Sequence, residues 1–493
     1  MNDESTAANW ALYDDETQRP KVSAFFHSVS VYNPIHPGTS TAEKRQRKSQ
    51  GRAQMGTFMG VYLPCLQNIF GVLFFIRLAW IVGTAGVLQS FFIVLLCCSV
   101  TFLTSISLSA IATNGMVPGG GPYYMISRNL GPELGGAVGI LFYLGTTIAG
   151  AMYVTGAVEI FVLYLVPQAK IFEDVFHCYR LFGTGLLIAL GLIVMAGVRV
   201  VNKFALPAVV IVVVCIFLTF VGVLVNVNGK EGLRYCMVGD RIANLMQCQK
   251  MVSDLSGGDC VCNKTSLRQM FCPNATLAER CEPYFDKNPV REVRGIRGLA
   301  QGAIWDNLGP KYLFKEHILT ANLTAEPAEN PANLPGAYVF ADLTTSFIIL
   351  VGVFFPSCTG IMAGSNRSGD LKDASVAIPR GTIAATCTTS FVYLAGVILF
   401  GASIDEMFIR DKFGEGAYGR LVIAELAVPN YTMILIGCFL STVGAGMQSL
   451  TGNFADVGYY SPSTIFLQLR SLVWWGGILS LPFDVWFTLT VGN

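Results

Sequence analysis

The amino-acid sequence predicts an all-α polytopic membrane protein with an inverted internal repeat and a large disulfide-bearing loop on its outer side. Three observations carry this expectation. The 493 residues are 53% hydrophobic and only 13% charged, whereas a soluble domain carries about 25% charged residues. Eight apolar stretches, each near the ~20 residues that cross a bilayer, lie at 59–82, 87–112, 136–166, 181–198, 204–226, 338–363, 381–402 and 430–451. The first and the sixth of these are interrupted by helix-breaking residues, which is the pattern of two five-helix repeats in which equivalent helices are broken.

Residues 1–54 are polar, lack the apolar core of a signal peptide, and read as a cytosolic tail. The basic run "EKRQRK" precedes span one, and "GVRVVNK" and "GSNRSGDLKDASVAIPR" fall on the same side if the spans alternate. The excess of Lys and Arg places that side in the cytosol. Residues 55–226 then hold spans one to five, and residues 227–336 form an extracellular loop. That loop contains Cys236, Cys248, Cys260, Cys262, Cys272 and Cys281, with glycosylation sequons at Asn263, Asn274 and Asn322. Cysteines beside sequons point to an oxidised, glycosylated compartment; their pairing is open among the possible connectivities. Residues 337–452 hold spans six to eight, and residues 453–493 form a divergent tail.

The interruptions are "PCLQNIFGVLFF" in span one and "VFFPSCTGIMAG" in span six. In hydrocarbon every backbone polar group needs a partner, so a broken helix is tolerated where the freed groups are buried in protein or line a cavity. Half-helix C-termini present carbonyls to a cation, and N-termini present N–H groups to an anion. Glycines 71, 360 and 364 allow close approach of backbone and ligand. Two charges lie inside spans, Arg77 in "FFIRLAW" and Glu159 in "TGAVEIF". Such charges are functional and paired by default, and these two are expected to form a gate.

Several runs together resemble one known family. They are "MGTFMGVYLPCLQNIFGVLFFIRLAWIVGTAGVLQ", "ISLSAIATNGMVPGGGPYYMISRNLGPELGGAVGILFYLGTT", "AMYVTGAVEIF", "FFPSCTGIMAGSNRSGDLKDASVAIPRGT" and "GAGMQSLTG". Over residues 55–452 the chain resembles the cation-chloride cotransporters, potassium-chloride branch. The resemblance implies the amino acid-polyamine-organocation (LeuT-like) inverted-repeat fold. It also implies a potassium site made by the carbonyls of Asn68, Ile69 and Pro356 and the hydroxyls of Tyr153 and Thr359. One chloride would lie on Gly71, Val72 and Leu73, and a second on Gly360, Ile361 and Met362, the latter completed in the family by a tenth-helix tyrosine. Arg77 and Glu159 match the family's extracellular gate pair. Where the sodium-coupled branch has two consecutive serines, this chain has Gly444 and Ala445, so no sodium dependence is expected.

After Gly452 that resemblance stops, which implies an incomplete second repeat without the tenth-helix tyrosine or the cytosolic regulatory domain, as in a truncated form. The expected activity is electroneutral, sodium-independent potassium-chloride symport at the plasma membrane, serving chloride homeostasis and cell volume. The alternatives are a non-transporting form, held partly in the endoplasmic reticulum, that modulates a full-length relative by dimerisation, and an amino-acid transporter of the same fold. The expected partners are the two ions, lipid, and a second copy or a longer cotransporter. No nucleic acid, cofactor or catalysis is expected: "GGG" at 119–121 lacks the Lys-Ser/Thr of a phosphate loop, and the four histidines have no metal spacing.

Overall fold

A computed structural model describes residues 55–115, 121–172, 175–195, 198–255, 260–272, 281–321 and 336–456. The expected N-terminal tail, the expected C-terminal tail from residue 457 onward, and the sequons at Asn274 and Asn322 lie outside the described residues, while residues 453–456 continue the helix Tyr431–Asp456. Among those residues eight helices are long and apolar enough to cross a membrane: Phe58–Ile76, Leu78–Thr113, Glu133–Leu165, Val175–Val194, Lys203–Val225, Phe347–Asp370, Ala374–Ser403 and Tyr431–Thr451. These are spans one to eight below.

Span one has a π-helical turn at Phe58–Tyr62, a helix at Leu63–Ile69, an interruption at Phe70 and Gly71, and a second half at Val72–Ile76. Helical hydrogen bonding resumes across Arg77, because Arg77 N–H donates to Leu73 and Ile81 N–H donates to Arg77. The helix Leu78–Thr113 is broken at a single residue, Gly86, with φ 74° and ψ 159°, so residues 78–85 prolong span one and the chain turns there. A Cβ there would lie 2.3 Å from the Gly309 carbonyl oxygen, and the neighbouring Val87 N–H donates to Asn307 at 2.8 Å. The corner thus needs glycine for both its dihedral angles and the backbone packed on it.

Span six begins at Phe347 and not near residue 338 as the apolar pattern suggests. Residues 338–346 belong to the loop between spans five and six: Tyr338 bridges Ala243, Phe340 bridges Ile318, and the Ser346 hydroxyl caps the helix at Ile349 N–H. Asp342, Thr344 and Thr345 give this stretch enough polarity to stay outside the bilayer. The helix Phe347–Cys358 ends at Thr359 and Gly360, where Gly360 has φ 107°, and two short 3₁₀ turns, Ile361–Ala363 and Ser365–Asp370, follow in place of a second α-helical half.

Span seven packs along span two, and span eight packs on spans three and five. Where they meet the broken halves, Phe74 stands edge-on to Phe75, Tyr393 and Phe400, and Phe354 stands edge-on to Tyr393. This geometry adds to burial because ring edges meet ring faces.

The loop between spans five and six folds around a small antiparallel sheet, ordered β2 (Arg241–Ile242), β1 (Arg234–Val238), β3 (Val290–Arg294). Its cysteines pair as Cys236–Cys262, Cys248–Cys260 and Cys272–Cys281. Their burial with Leu267, Phe271, Phe285 and Tyr338 makes a second apolar core. A core of this size needs such cross-links to hold. Asn263 is exposed and its side-chain oxygen caps the helix Lys264–Phe271, accepting from Ser266 N–H at 2.7 Å.

Gly86→Ala should destabilise the protein by about 1–3 kcal/mol, because overpacking against backbone cannot relax. Thermal unfolding in detergent, with Gly185→Ala as the control that meets nothing within 4 Å, measures it. Equal midpoints for the two variants would contradict the corner's role.

Candidate functional site

Breaking span one leaves three successive carbonyls without helical donors, and each finds one. Asn68 O accepts from the Tyr153 hydroxyl of span three at 3.0 Å. Ile69 O accepts from the Tyr393 hydroxyl of span seven at 2.9 Å and from Gly71 N–H at 2.8 Å. Phe70 O accepts from the Ser441 hydroxyl of span eight at 2.6 Å. The same happens in span six. Pro356 O accepts from the Thr359 hydroxyl at 2.7 Å, Ser357 O from Tyr393 at 3.2 Å, and Ile361 O from the Cys65 thiol at 3.3 Å.

The two breaks touch. A Cβ on Gly360 would lie 2.8 Å from the Asn68 amide nitrogen, and one on Gly71 would lie 3.0 Å from the Tyr153 ring. Beside them is a cavity of about 420 Å³ lined by spans one, two, three, six and eight. Its wall includes Asn68, Tyr153, Thr359, Gly360, Ile361 and Met362 among the residues expected to bind ions. Ile69, Pro356, Gly71, Val72 and Leu73 lie outside that lining, and the Gly71 N–H is already bonded to Ile69 O. Among the described residues no Asp, Glu, Lys or Arg lines the cavity. Three buried side-chain oxygens nearby, on Asn68, Ser357 and Asn366, have no protein donor.

Gly444 and Ala445 sit on the other side of span one. Ala445 is fully buried, and a Cβ on Gly444 would lie 2.1 Å from Gln67 Nε2. The Gln67 side-chain oxygen accepts from Gln448 Nε2 at 3.0 Å, and Gln448 accepts in turn from Arg367. Sequence reasoning singled out none of Gln67, Gln448, Tyr393 and Ser441. A tyrosine in mid-span is the signal that could have found Tyr393, because a buried phenol needs an acceptor.

Arg77 and Glu159 meet. One guanidinium nitrogen lies 2.9 and 3.1 Å from the two carboxylate oxygens, and the side chains are 3% and 10% exposed. The Phe413 ring covers the guanidinium at 5.6 Å. Phe413 belongs to the segment between spans seven and eight, which is tied to the cysteine-bearing loop: Tyr235 donates to Asp405 at 2.5 Å, and Asn244 donates to Glu415 at 3.0 Å. Lys412 in the same segment pairs with Asp342 at 2.7 Å and lies over the Trp80 ring at 5.0 Å. Burial pushes the Glu415 carboxyl up to about 8, with Asp411 and Asp342 adding to it. Burial pushes Asp411 up to about 6, against the backbone N–H groups that stabilise its charge.

Two interrupted helices that meet beside a cavity inside a bundle of apolar spans define a membrane transporter. The family model for amino acid permeases matches residues 60–246 and 310–478, more than two thirds of the chain. The chain belongs to that family, and so to the amino acid-polyamine-organocation fold. The match extends past Gly452, where the resemblance to the cotransporters ends, and it omits 247–309, which hold five of the six paired cysteines.

A double-mutant cycle on Arg77→Gln and Glu159→Gln should show coupling above 1 kcal/mol, since removing one charge strands its buried partner. Thermal unfolding of the two single variants and the double variant reads this directly. Additive losses would separate the two residues.

Glu415 makes stability depend on pH. A carboxyl raised in the folded state keeps its proton there more tightly than in the unfolded chain, so stability falls as pH rises from the unfolded value near 4.3 through about 8. Melting temperature should therefore drop between pH 5 and pH 8, and Glu415→Gln should flatten most of that slope while keeping an acceptor for Asn244. Identical slopes in the two proteins would exclude Glu415 as the source.

Proposed function

We propose that the chain carries potassium and chloride together across the plasma membrane, without sodium and without net charge, and so serves chloride homeostasis and cell volume. The observation that supports this best is the excess of acceptors over donors at the breaks. Oxygens of Asn68, Tyr153, Thr359 and Asn366 share the cavity wall, those of Pro356 and Ser357 stand next to it in the chain, and no carboxylate lines it among the described residues. A large monovalent cation favours several neutral oxygens, and its bound charge lowers the cost of taking an adjacent chloride out of water. In this reading Asn68, Ile69, Tyr153, Pro356 and Thr359 hold potassium. Val72 and Leu73, the first N–H groups of the half-helix after Gly71, hold one chloride, and Gly360, Ile361 and Met362 hold the other. Arg77 and Glu159 close the outer side, and the N-terminus is cytosolic.

The family match favours a second reading, a small amino acid as substrate. Its carboxylate would take the N–H groups at a break, and its ammonium the carbonyls. Chloride-dependent rubidium uptake into vesicles holding the purified chain, set beside uptake of a labelled amino-acid mixture, decides between them. Uptake of neither, with suppression of a co-expressed longer cotransporter, would assign the chain a modulatory role by dimerisation.

Tyr153→Phe removes one oxygen from a cation with several, a loss of about 1 kcal/mol. The apparent potassium affinity should fall about fivefold, and thermal stability should fall as well, because the Asn68 carbonyl loses its donor. An unchanged affinity would remove Tyr153 from the cation site.

A further inference from the structure

Beside the break in span six two thiols face each other. Cys98 of span two and Cys358, the last helical residue before the break, have their sulfurs 3.6 Å apart and are 5% and 4% exposed. Cys97, next in sequence, turns elsewhere, with its sulfur 4.0 Å from the Val351 carbonyl. Closing the pair to a disulfide needs about 1.6 Å of approach to reach the usual ~2.0 Å bond.

We propose that Cys98 and Cys358 are a modification site, forming a reversible disulfide that clamps span six to span two at the substrate cavity. The oxidant fitting the place is a small neutral peroxide. Thr101 and Phe355, one turn from the two cysteines, and Thr359, next to Cys358, all line the cavity, so a molecule of that size entering it comes within one helical turn of both sulfurs. One cysteine, as thiolate, attacks a peroxide oxygen, becomes a sulfenic acid and releases hydroxide, which its displaced proton turns into water. The second thiol then attacks the sulfenic sulfur: an S–S bond forms, the S–O bond breaks, and a second water leaves. Two thiols lose two electrons, and the peroxide is reduced to two waters.

The cross-link would hold the end of the half-helix whose Pro356 and Ser357 carbonyls meet Thr359 and Tyr393. Alternating access moves broken helices relative to their neighbours, so a covalent tie at this point arrests transport. Formation of the bond is independent of what is carried; only the flux measurement rests on the transport reading.

The test exposes the full chain in vesicles to hydrogen peroxide, alkylates the remaining thiols, and maps peptides by mass spectrometry. The expected result is a peptide joining Cys98 to Cys358, lost on reduction, lost in Cys98→Ala and retained in Cys97→Ala. Recovery of Cys98 and Cys358 as separately alkylated or over-oxidised residues, or a link through Cys97, would overturn the site. Uptake of the carried solute should fall several-fold on oxidation and return with reductant in the wild type, and stay unchanged in Cys98→Ala. A bond that forms while uptake persists would overturn the clamp and leave only the cross-link.

Discussion

Three carbonyl oxygens freed where span one breaks, on Asn68, Ile69 and Phe70, are the constraint on which the bundle depends. Inside a membrane no water relieves them, and each left bare would cost several kcal/mol. Their donors arrive from three different helices: Tyr153 from span three, Tyr393 from span seven and Ser441 from span eight. Spans three, seven and eight are thus placed by polar contacts, and the aromatic packing around Phe74 and Tyr393 follows from that placement. Tyr393 matters twice, because its single hydrogen is shared between Ile69 O and Ser357 O in span six. One phenol holds the two broken helices together, and a ligand that takes either carbonyl must compete with it.

The end of the bundle that carries the disulfide-bearing loop is organised around a second buried polar contact. The Arg77–Glu159 pair sits beneath Phe413, and the segment bearing Phe413 is gripped by the disulfide-bearing loop through Asn244 and Tyr235. An isolated charge here would be expensive; the pair, roofed by an aromatic ring, is not. The loop therefore does more than decorate the protein. Its fold sets the position of the roof, so a continuous chain of contacts joins the cross-linked loop to the Arg77–Glu159 pair. The elements are contiguous in space, which is the physical requirement for such coupling.

Much of this was legible in the sequence, for identifiable reasons. Eight apolar stretches became eight spans because length and hydropathy decide insertion residue by residue. The breaks in spans one and six were visible because glycine and proline punctuate helices locally, and Arg77 with Glu159 was visible because charge inside a span is rare. What escaped was set by distant contacts. The start of span six was misjudged because residues 338–346 are apolar enough for a helix yet pair with Ala243 and Ile318, some twenty to a hundred residues away. The cysteine pairing depends on how the loop's sheet and helices meet, and Gly86 turns a corner in one residue because Gly309 packs on it. Gly444 drew attention for the oxygen it lacks, whereas the oxygen that reaches span one comes from Ser441, one helical turn earlier.

On the proposed reading, the neutrality of the cavity is what couples the two ions. A site lined by carboxylate would hold a cation by itself, and nothing would oblige an anion to follow. Here the lining has oxygens and no charge, so a bound cation leaves a net positive charge in a poorly solvated place. Two unit charges about 4 Å apart interact by roughly 4 kcal/mol at an effective dielectric of 20, enough to change the occupancy of a neighbouring chloride by about a thousandfold. The same figure applies in reverse: without the anion, the cation is weaker by that factor. Substituting a carboxylate for a neutral residue of the wall, such as Asn68→Asp, would break this dependence by supplying the negative charge permanently. Cation binding should then survive the removal of chloride, while coupled transport fails because the anion no longer contributes.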